Sequence, residues 1–362
     1  MNVSPVREKS GVTITAVTLE NFGARLLSAA GVPERHAALV SRTLVAANLR
    51  GIDSHGVHLL SYYLKQLAAQ QLHPTEEGAV VSESGSCLVY DGRNGLGQVT
   101  AQHCSHHASR LASQHGIAMV TARETNHFGA CFWWAREIAR NGMLGLVFCN
   151  SSPLVAPWQG KERRFGTNPI CMAVPPRPGG DEPWLLDMAT TTVAANKIFK
   201  AYINGVPEIP SGWAMDSEGV PTTDTVSAYH GIVAPLGGYK GYGLAMMVEI
   251  LCAVLGGGAM GSELGGIRFT DKPVRVSHAY IAIDVSRFMP VPQFSERIEK
   301  YVALMKSSAP AKGYEEVLVA GDPERRIQEA RSRYGIPIPE GNWRDLAEEA
   351  LKLGVTIPGA SR

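Results

Sequence analysis

Gly95-Leu96-Gly97-Gln98-Val99-Thr100 stands between an apolar run at residues 87–90 and a helical pattern over 99–115, where a nucleotide-binding βαβ unit carries its glycine fingerprint. The first two glycines are in place, but the third position is Thr100 and no acidic ribose partner follows at the expected distance. An ordinary Rossmann fold is therefore excluded. Short apolar strands at 87–90, 117–121 and 144–149 nevertheless alternate with helical patterns at 99–115 and 131–141, so the class is α/β. Upstream, residues 17–73 read as helical: Pro33 opens a second helix whose Val40, Leu44 and Ala47 recur at helical spacing, and a polar break, Asp53-Ser54-His55-Gly56, precedes a further helix over 60–69. Downstream, residues 150–235 are richer in Pro, Gly and Thr, with strand-like pieces at 170–174 and 184–186. A glycine loop at 237–243 leads into a helix, and a strand follows at 279–283. A last strand at 317–320 runs into Gly321-Asp322-Pro323-Glu324, where Asp322 is placed as N-cap and Pro323 as first helical residue.

Composition narrows the function classes. A chain of 362 residues with 45% hydrophobic and 19% charged residues is folded throughout and long enough for two or three structural regions. Lys and Arg (34) nearly balance Asp and Glu (33) without runs of like charge, so neither nucleic acid nor an anionic membrane is expected as a partner, and a small molecule is. The six cysteines form no C-x-x-C pair and several lie in apolar runs, which suits free thiols in a reducing compartment. Residues 1–17 contain no apolar core of signal-peptide length, and the expected location is cytoplasmic. The apolar run at 243–260 is interrupted by Glu249 and ends in Gly256-Gly257-Gly258, short of the ~20 apolar residues a spanning helix needs; it reads as a core or subunit-interface helix.

Several stretches carry chemistry. In Thr125-Asn126-His127-Phe128-Gly129 an imidazole, able to exchange a proton near neutral pH, precedes an aromatic ring and a glycine that lets a ligand approach the backbone; the plainer alternative is a satisfied loop histidine at a strand end. In Gly237-Gly238-Tyr239-Lys240-Gly241-Tyr242-Gly243, backbone amides at a helix start and the Lys240 ammonium suit a phosphate, against the alternative of a flexible turn with a solvated lysine. Asp187, followed by Met188, Ala189 and three threonines, ends an apolar run, where it either meets ribose hydroxyls or caps the next helix. Gly166-Thr167-Asn168-Pro169 offers a hydroxyl and an amide on a tight turn, fit for a polar ligand or for the turn itself. Ser54 beside His55 would fix an imidazole tautomer for proton transfer. His103, His106 and His107 have helical metal-ligand spacing, but no flanking carboxylate completes a set, so no metal is expected. The absence of a G-x-S-x-G elbow lowers a serine hydrolase.

Taken in order, Asp53-Ser54-His55-Gly56-Val57, Asn126-His127-Phe128-Gly129, Gly166-Thr167-Asn168-Pro169, Asp187-Met188-Ala189-Thr190, Gly238-Tyr239-Lys240-Gly241 and Gly321-Asp322-Pro323-Glu324 resemble the malate/L-lactate dehydrogenase family of the second type over nearly the whole chain. That family includes malate, sulfolactate, ureidoglycolate and diketogulonate dehydrogenases and reductases of cyclic imino acids. The resemblance implies a homodimer with a non-Rossmann, mixed and mostly antiparallel sheet flanked by helices, and a nicotinamide cofactor, NAD or NADP. It implies an N-terminal helical region at 1–75 carrying the Ser54-His55 motif, a central cofactor- and substrate-binding region at 76–310, and a segment at 311–362 returning to the cofactor domain. The cofactor is implied near the Phe128-Gly129-Ala130 backbone, Ser151, Asp187-Met188-Ala189, Lys240 and Gly321-Asp322-Pro323. His55 and His127 are the implied proton-transfer candidates; one moves the proton and the other holds the substrate.

Two departures from the family pattern bear on the substrate. Many relatives carry an arginine four residues after the first histidine, where this chain has Leu59; losing such a charge-assisted contact removes roughly 1.5–3 kcal/mol, and Arg50 and His58 are the candidate replacements, while Thr167 is a further candidate substrate contact. An aspartate that ends a relay with the Ser-His pair in the imino-acid branch corresponds to Lys197. The expected reaction is thus the interconversion of a small 2-hydroxy carboxylate and its 2-keto acid, with reduction of a cyclic imino acid as the alternative. A metabolite-binding protein that has lost turnover, for which Leu59 is the support, and a metal-dependent hydrolase or lyase built on the histidine cluster are the competing classes.

Overall fold

A computed structural model describes residues 11–177, 180 and 182–359. The chain divides into two compact units, Met1–Thr75 with Pro323–Arg362, and Glu76–Asp322.

The first unit begins with β1 (Val12–Ile14) and three helices, α1 (Ala16–Ala29), α2 (Glu34–Leu49) and α3 (Leu59–Ala68). Thr15 caps α1 by accepting the Thr18 N–H, and Leu19, Phe22, Leu26 and Leu27 form its buried stripe at helical spacing.

The second unit is built on a seven-stranded sheet. Its elements run β2 (Ala79–Ser84), β3 (Cys87–Asp91), α4 (Gly97–His115), β4 (Ile117–Thr125), α5 (Cys131–Ala139), β5 (Met143–Cys149), β6 (Ile170–Ala173), β7 (Leu185–Met188), α6 (Ala195–Ile203), β8 (Ala214–Met215), β9 (Pro221–Thr222), α7 (Thr225–His230), β10 (Ile232–Val233), α8 (Tyr239–Glu249), β11 (Val276–Asp284) and α9 (Val291–Lys306). The first unit is completed by α10 (Asp322–Tyr334), β12 (Ile336–Ile338) and α11 (Glu340–Lys352); β12 pairs antiparallel with β1, and Trp343 packs on Phe22.

The large sheet has the order β2-β3-β4-β11-β5-β6-β7, and β8, β9 and β10 form a separate small sheet. Only β3 and β4 are parallel, joined by the α4 crossover; the other pairings are antiparallel. The expected non-Rossmann, mixed and mostly antiparallel sheet is what the chain forms. β11 lies between β4 and β5 and is buried along most of its length.

The glycines of residues 95–97 pack rather than bind. A Cβ on Gly97 would sit 2.1 Å from the Asn126 carbonyl oxygen and 2.5 Å from that of His127, so only glycine lets the start of α4 press against the loop leaving β4. One expected strand does not form: residues 317–320 are irregular, because the Asp322 carboxylate takes the Val319 N–H at 2.9 Å that a ladder would use. The helix after it does form, but it begins at Asp322, one residue before the expected first helical residue Pro323.

Gly97→Ala places a methyl group against two backbone carbonyls that have no room to yield. It is expected to destabilise the fold by about 1–3 kcal/mol or more, read as a lowered thermal midpoint; an unchanged midpoint would show that this packing is dispensable.

Candidate functional site

In the second unit the site is built outward from the end of β4. Glu124 (φ 48°) and Arg275 (φ 57°) both adopt left-handed backbone, and the Arg275 guanidinium grips the Glu124 carboxylate at 2.7 and 2.9 Å. They sit where the register of β11 against β4 shifts between Val276 and His278, a bulge that turns the chain out of the sheet into Asn126 and His127. Asn126 is buried and donates to the Asn94 side chain and the Gly95 carbonyl, both at 2.9 Å, locking the loop to the start of α4. At Gly129 (φ 81°) the chain turns back, so that the Gly129 N–H donates to His127 Nδ1 at 3.2 Å. In the neutral ring the proton then sits on Nε2, leaving that edge as a donor.

Phe128 is buried. Its ring stacks on His278 with centroids 4.1 Å apart, and its carbonyl accepts from the Trp134 indole at 3.0 Å. The phenyl ring of Phe128 is thus part of the core, and only backbone of the Phe128-Gly129-Ala130 stretch remains for the expected ligand contact. His278 drew no attention in the sequence because it lies in an otherwise ordinary strand; it is fully buried, 3.2 Å from the Tyr280 hydroxyl, and burial pushes its imidazole down to about 3.

Asp187, on β7, accepts the Phe132 N–H at 2.8 Å, so its carboxylate caps α5, which begins directly after the His127 loop. The helix it caps is therefore not the next one along the chain but one already laid down against the sheet. After Met188 and Ala189, the Thr190 hydroxyl donates to the carbonyls of Thr167 (3.0 Å) and Asn168 (3.1 Å), and the Ser151 hydroxyl accepts the Thr167 N–H at 3.0 Å. Gly241, at the start of α8, packs so closely that a Cβ would lie 2.7 Å from the Thr190 carbonyl and 2.4 Å from the Leu236 backbone. Ser151, Thr167, Asp187–Ala189 and Lys240 thus gather at one edge of the sheet, next to the helix that follows His127. Lys240 is exposed beside Gly238 (φ 70°). Gly321 (φ 96°) and Asp322 follow Ala320, whose carbonyl accepts from Leu185 N–H at the start of β7, and the buried Asp322 carboxylate pairs with Lys306 at 2.8 Å.

Asn150 and Glu249 escaped the sequence reading. The Glu249 carboxylate accepts from the side-chain amides of Asn150 (3.3 Å) and Asn168 (2.9 Å) and from the Gly261 N–H (3.0 Å). The available signal was a lone acid in an apolar helical run, which demands partners when buried.

In the first unit, Asp53 is held by a bidentate ion pair with Arg331, at 2.7 and 2.9 Å, and by the Asn48 amide at 2.6 Å. Asn48 Oδ1 also accepts the Val57 N–H at 2.8 Å, so the Asp53–His55 turn is clamped from both ends. Ser54 Oγ lies 3.0 Å from His55 Nδ1, and burial pushes the His55 imidazole down to about 4. Arg50 is buried at the end of α2, His58 sits edge-on to Tyr62 at the start of α3, and Leu59 is core, 3% exposed.

The histidine cluster on α4 is engaged elsewhere. His103 meets Glu77 at 3.3 Å and stacks on Tyr90, and burial, then Arg110, holds His107 below its usual range. Lys197 lies over the Trp213 ring at 5.8 Å.

The sequence matches the malate/L-lactate dehydrogenase family over residues 14–347. The chain belongs to that family. A malate dehydrogenase of Pyrococcus horikoshii is 37% identical over 345 residues, 93% of this chain and 94% of the relative; its solved structure superposes with a TM-score of 0.88 at 34% identity, covering 96% of this chain and 97% of that one. An L-sulfolactate dehydrogenase of Methanocaldococcus jannaschii is 34% identical over 327 residues, 90% of this chain and 93% of the relative. A solved Δ1-piperideine-2-carboxylate reductase of Pseudomonas syringae has a TM-score of 0.82 at 26% identity, covering 93% of this chain and 99% of that one. The protein is thus an oxidoreductase acting on CH–OH, and the expectations of family and enzyme class are met.

Two neutral histidines, His55 on a half-buried turn and His278 in the core, make stability depend on pH. The imidazoles of His55 (about 4) and His278 (about 3) take fewer protons when folded than in the unfolded chain, whose ordinary value is 6.5. Stability is then full above pH 6.5 and falls as the pH drops towards 4. Thermal midpoints across pH 7.5–4.5 are expected to show this decline, with a shallower slope in His278→Gln; equal slopes would remove His278 from the effect.

Proposed function

We propose that the protein is an NAD(P)-dependent dehydrogenase that interconverts a small 2-hydroxy carboxylate and its 2-keto acid. The observation that carries this reading is the gathering of Ser151, Thr167, Asp187–Ala189 and Lys240 at one sheet edge, next to the helix that the His127 loop opens. The chemistry of these groups fits a dinucleotide. The exposed ammonium of Lys240 at a glycine-rich helix start suits a phosphate, and the Ser151 hydroxyl and the Phe128-Gly129-Ala130 and Gly321-Asp322-Pro323 backbones are assigned to the cofactor as further polar groups. A bound nicotinamide supplies or accepts the hydride. Thr167, with Arg50 and His58, is assigned to the substrate, whose carboxylate calls for donors in place of the arginine that Leu59 replaces.

The proton is the protein's task. In the oxidative direction the hydroxyl oxygen loses its proton to an imidazole as the carbon bearing it gives up a hydride to the nicotinamide, and in reduction an imidazole returns the proton to the alkoxide oxygen. His55, kept neutral by burial beside Ser54, suits the accepting role; His127, with Gly129 N–H on Nδ1, presents Nε2–H for donation. Imine reduction is the second reading, supported by the likeness to the piperideine-2-carboxylate reductase.

The assembly we favour is a homodimer, supported by the apolar row Met246, Met247, Ile250, Val254 and Leu255 left exposed along α8 and the π-helical Ile250–Val254 that continues it. A cytoplasmic location is favoured by six free cysteines, five of them buried. Among the described residues no helix is long and apolar enough to cross a membrane.

The test is titration with NADH and NADPH separately, followed by a panel of 2-keto acids and cyclic imines. Binding of neither cofactor overturns the reading, and turnover of imines alone selects the second one. His55→Ala or His127→Ala is expected to lower turnover by about a hundredfold or more for the residue that moves the proton, with cofactor binding kept. If His55 is the base, kcat/KM for oxidation stays flat from pH 8 to about 5 and falls with a midpoint near 4, its folded value. A midpoint near the ordinary 6.5 would transfer the role to another group.

A further inference from the structure

We propose that Glu249 is a positioning residue for the binding edge: its carboxylate sets the Asn168 turn and, through it, Ser151 and Thr167. This rests on the assignment of Ser151 to the cofactor and Thr167 to the substrate. Glu249 is the last residue of α8, where the α-helix gives way to the π-helical turn Ile250–Val254. Such a switch of helical pitch reorients the side chains around it and recurs at functional sites.

Three donors converge on the two carboxylate oxygens. Oε2 accepts the Asn168 side-chain amide at 2.9 Å, and Oε1 accepts the Gly261 N–H at 3.0 Å and the Asn150 amide at 3.3 Å. Among the described residues no lysine, arginine or histidine pairs with it. All its partners are neutral N–H groups, so the charge is spent on orienting amides.

The orientation passes on in defined steps. Asn168 is fully buried with its backbone at φ 30°, a conformation that must be held from outside, and its amide is held by Glu249 and by the Ala245 carbonyl at 3.0 Å. With the amide so fixed, Oδ1 points at the Ser151 N–H and accepts it at 3.1 Å. Ser151 Oγ in turn accepts the Thr167 N–H. Asn150, the other amide, holds the end of β5 by accepting the Ser277 N–H at 2.7 Å and donating to the Ala259 carbonyl at 3.0 Å. One carboxylate therefore fixes both residues that lead into Ser151, one along the chain and one across the turn.

Glutamine cannot do this. Its single acceptor oxygen serves either Asn168 or the Asn150–Gly261 side, and its NH2 then faces a donor on the other. Glu249→Gln is expected to raise KM for cofactor and substrate about tenfold or more while kcat stays within about threefold. Amide exchange at Ser151 and Thr167 should quicken in the same variant. A merely structural role would lower kcat through loss of folded enzyme and leave KM as it was. Unchanged KM values together with unchanged exchange at both amides overturn the proposal. Should Glu249→Gln not fold, Glu249→Asp is read in the same way: it keeps the charge but withdraws it by one methylene, so both readouts should move in the same direction by less, and no movement in either is again fatal. If the wild-type protein binds neither NADH nor NADPH, the functional reading falls, while exchange at Ser151 and Thr167 still decides whether Glu249 positions them.

Discussion

The second unit depends on the contact between the first residues of α4 and the backbone of Asn126 and His127. The parallel β3–β4 pair needs a crossover helix, and that helix starts where the chain leaving β4 must pass. Gly97 removes the side chain that would keep the two apart, and Asn126 closes the gap with bonds to Asn94 and the Gly95 carbonyl. His127 is thereby placed by a backbone wedged between a helix start and a strand end. Its position follows from the topology of the sheet rather than from the flexibility of a loop. The same economy explains why the Gly95-Leu96-Gly97 stretch imitates a nucleotide fingerprint: both uses of glycine require close approach, here of protein backbone instead of a phosphate.

Much of this was legible in the sequence where burial imposes a pattern. The three N-terminal helices, the strands at the centre of the sheet and the helix that contains Lys240 announce themselves through apolar spacing, because each has a face that must leave water. β2 does not: five of the six residues of Ala79–Ser84 are exposed, so the strand is held by its ladder to β3 and leaves no alternation to read. Residues 317–320 show the converse, an apolar run whose amide is claimed by the Asp322 side chain before a sheet can use it. Of the site, the motif residues were readable as polar groups on turns, but their anchors were not. Glu249 looked like an interruption in an apolar helix, and His278 like one polar residue in a strand, since the partners of each lie far away in sequence.

The histidines separate by environment rather than by motif. His103 and His107 have metal-like spacing, yet one is drawn to Glu77 and the other sits beside the Arg110 guanidinium, so the helix offers them different partners instead of a common ion. His55 and His278 are held neutral by burial, but to different ends. His278 spends its ring on Phe128 and Tyr280 in the core, whereas His55 keeps Ser54 at Nδ1 on a turn clamped by Asn48 and Arg331. Neutrality at a rigid, partly open turn is what a proton acceptor requires, while neutrality in a sealed core is a packing solution.

Leu59 is where burial meets a departure from the family pattern. Four residues beyond His55, where many family members carry an arginine, this chain places a side chain 3% exposed in the buried face of α3, next to Leu60, Tyr63 and Leu64. The difference is therefore more than the loss of a guanidinium. The position has been absorbed into the core, and an arginine introduced there would have to give up its hydration without a ready partner. Elsewhere in each unit turns are fixed by side-chain amides instead: Asn48 accepts the Val57 N–H around the Asp53–His55 turn, and Asn168 accepts the Ser151 N–H beside Thr167.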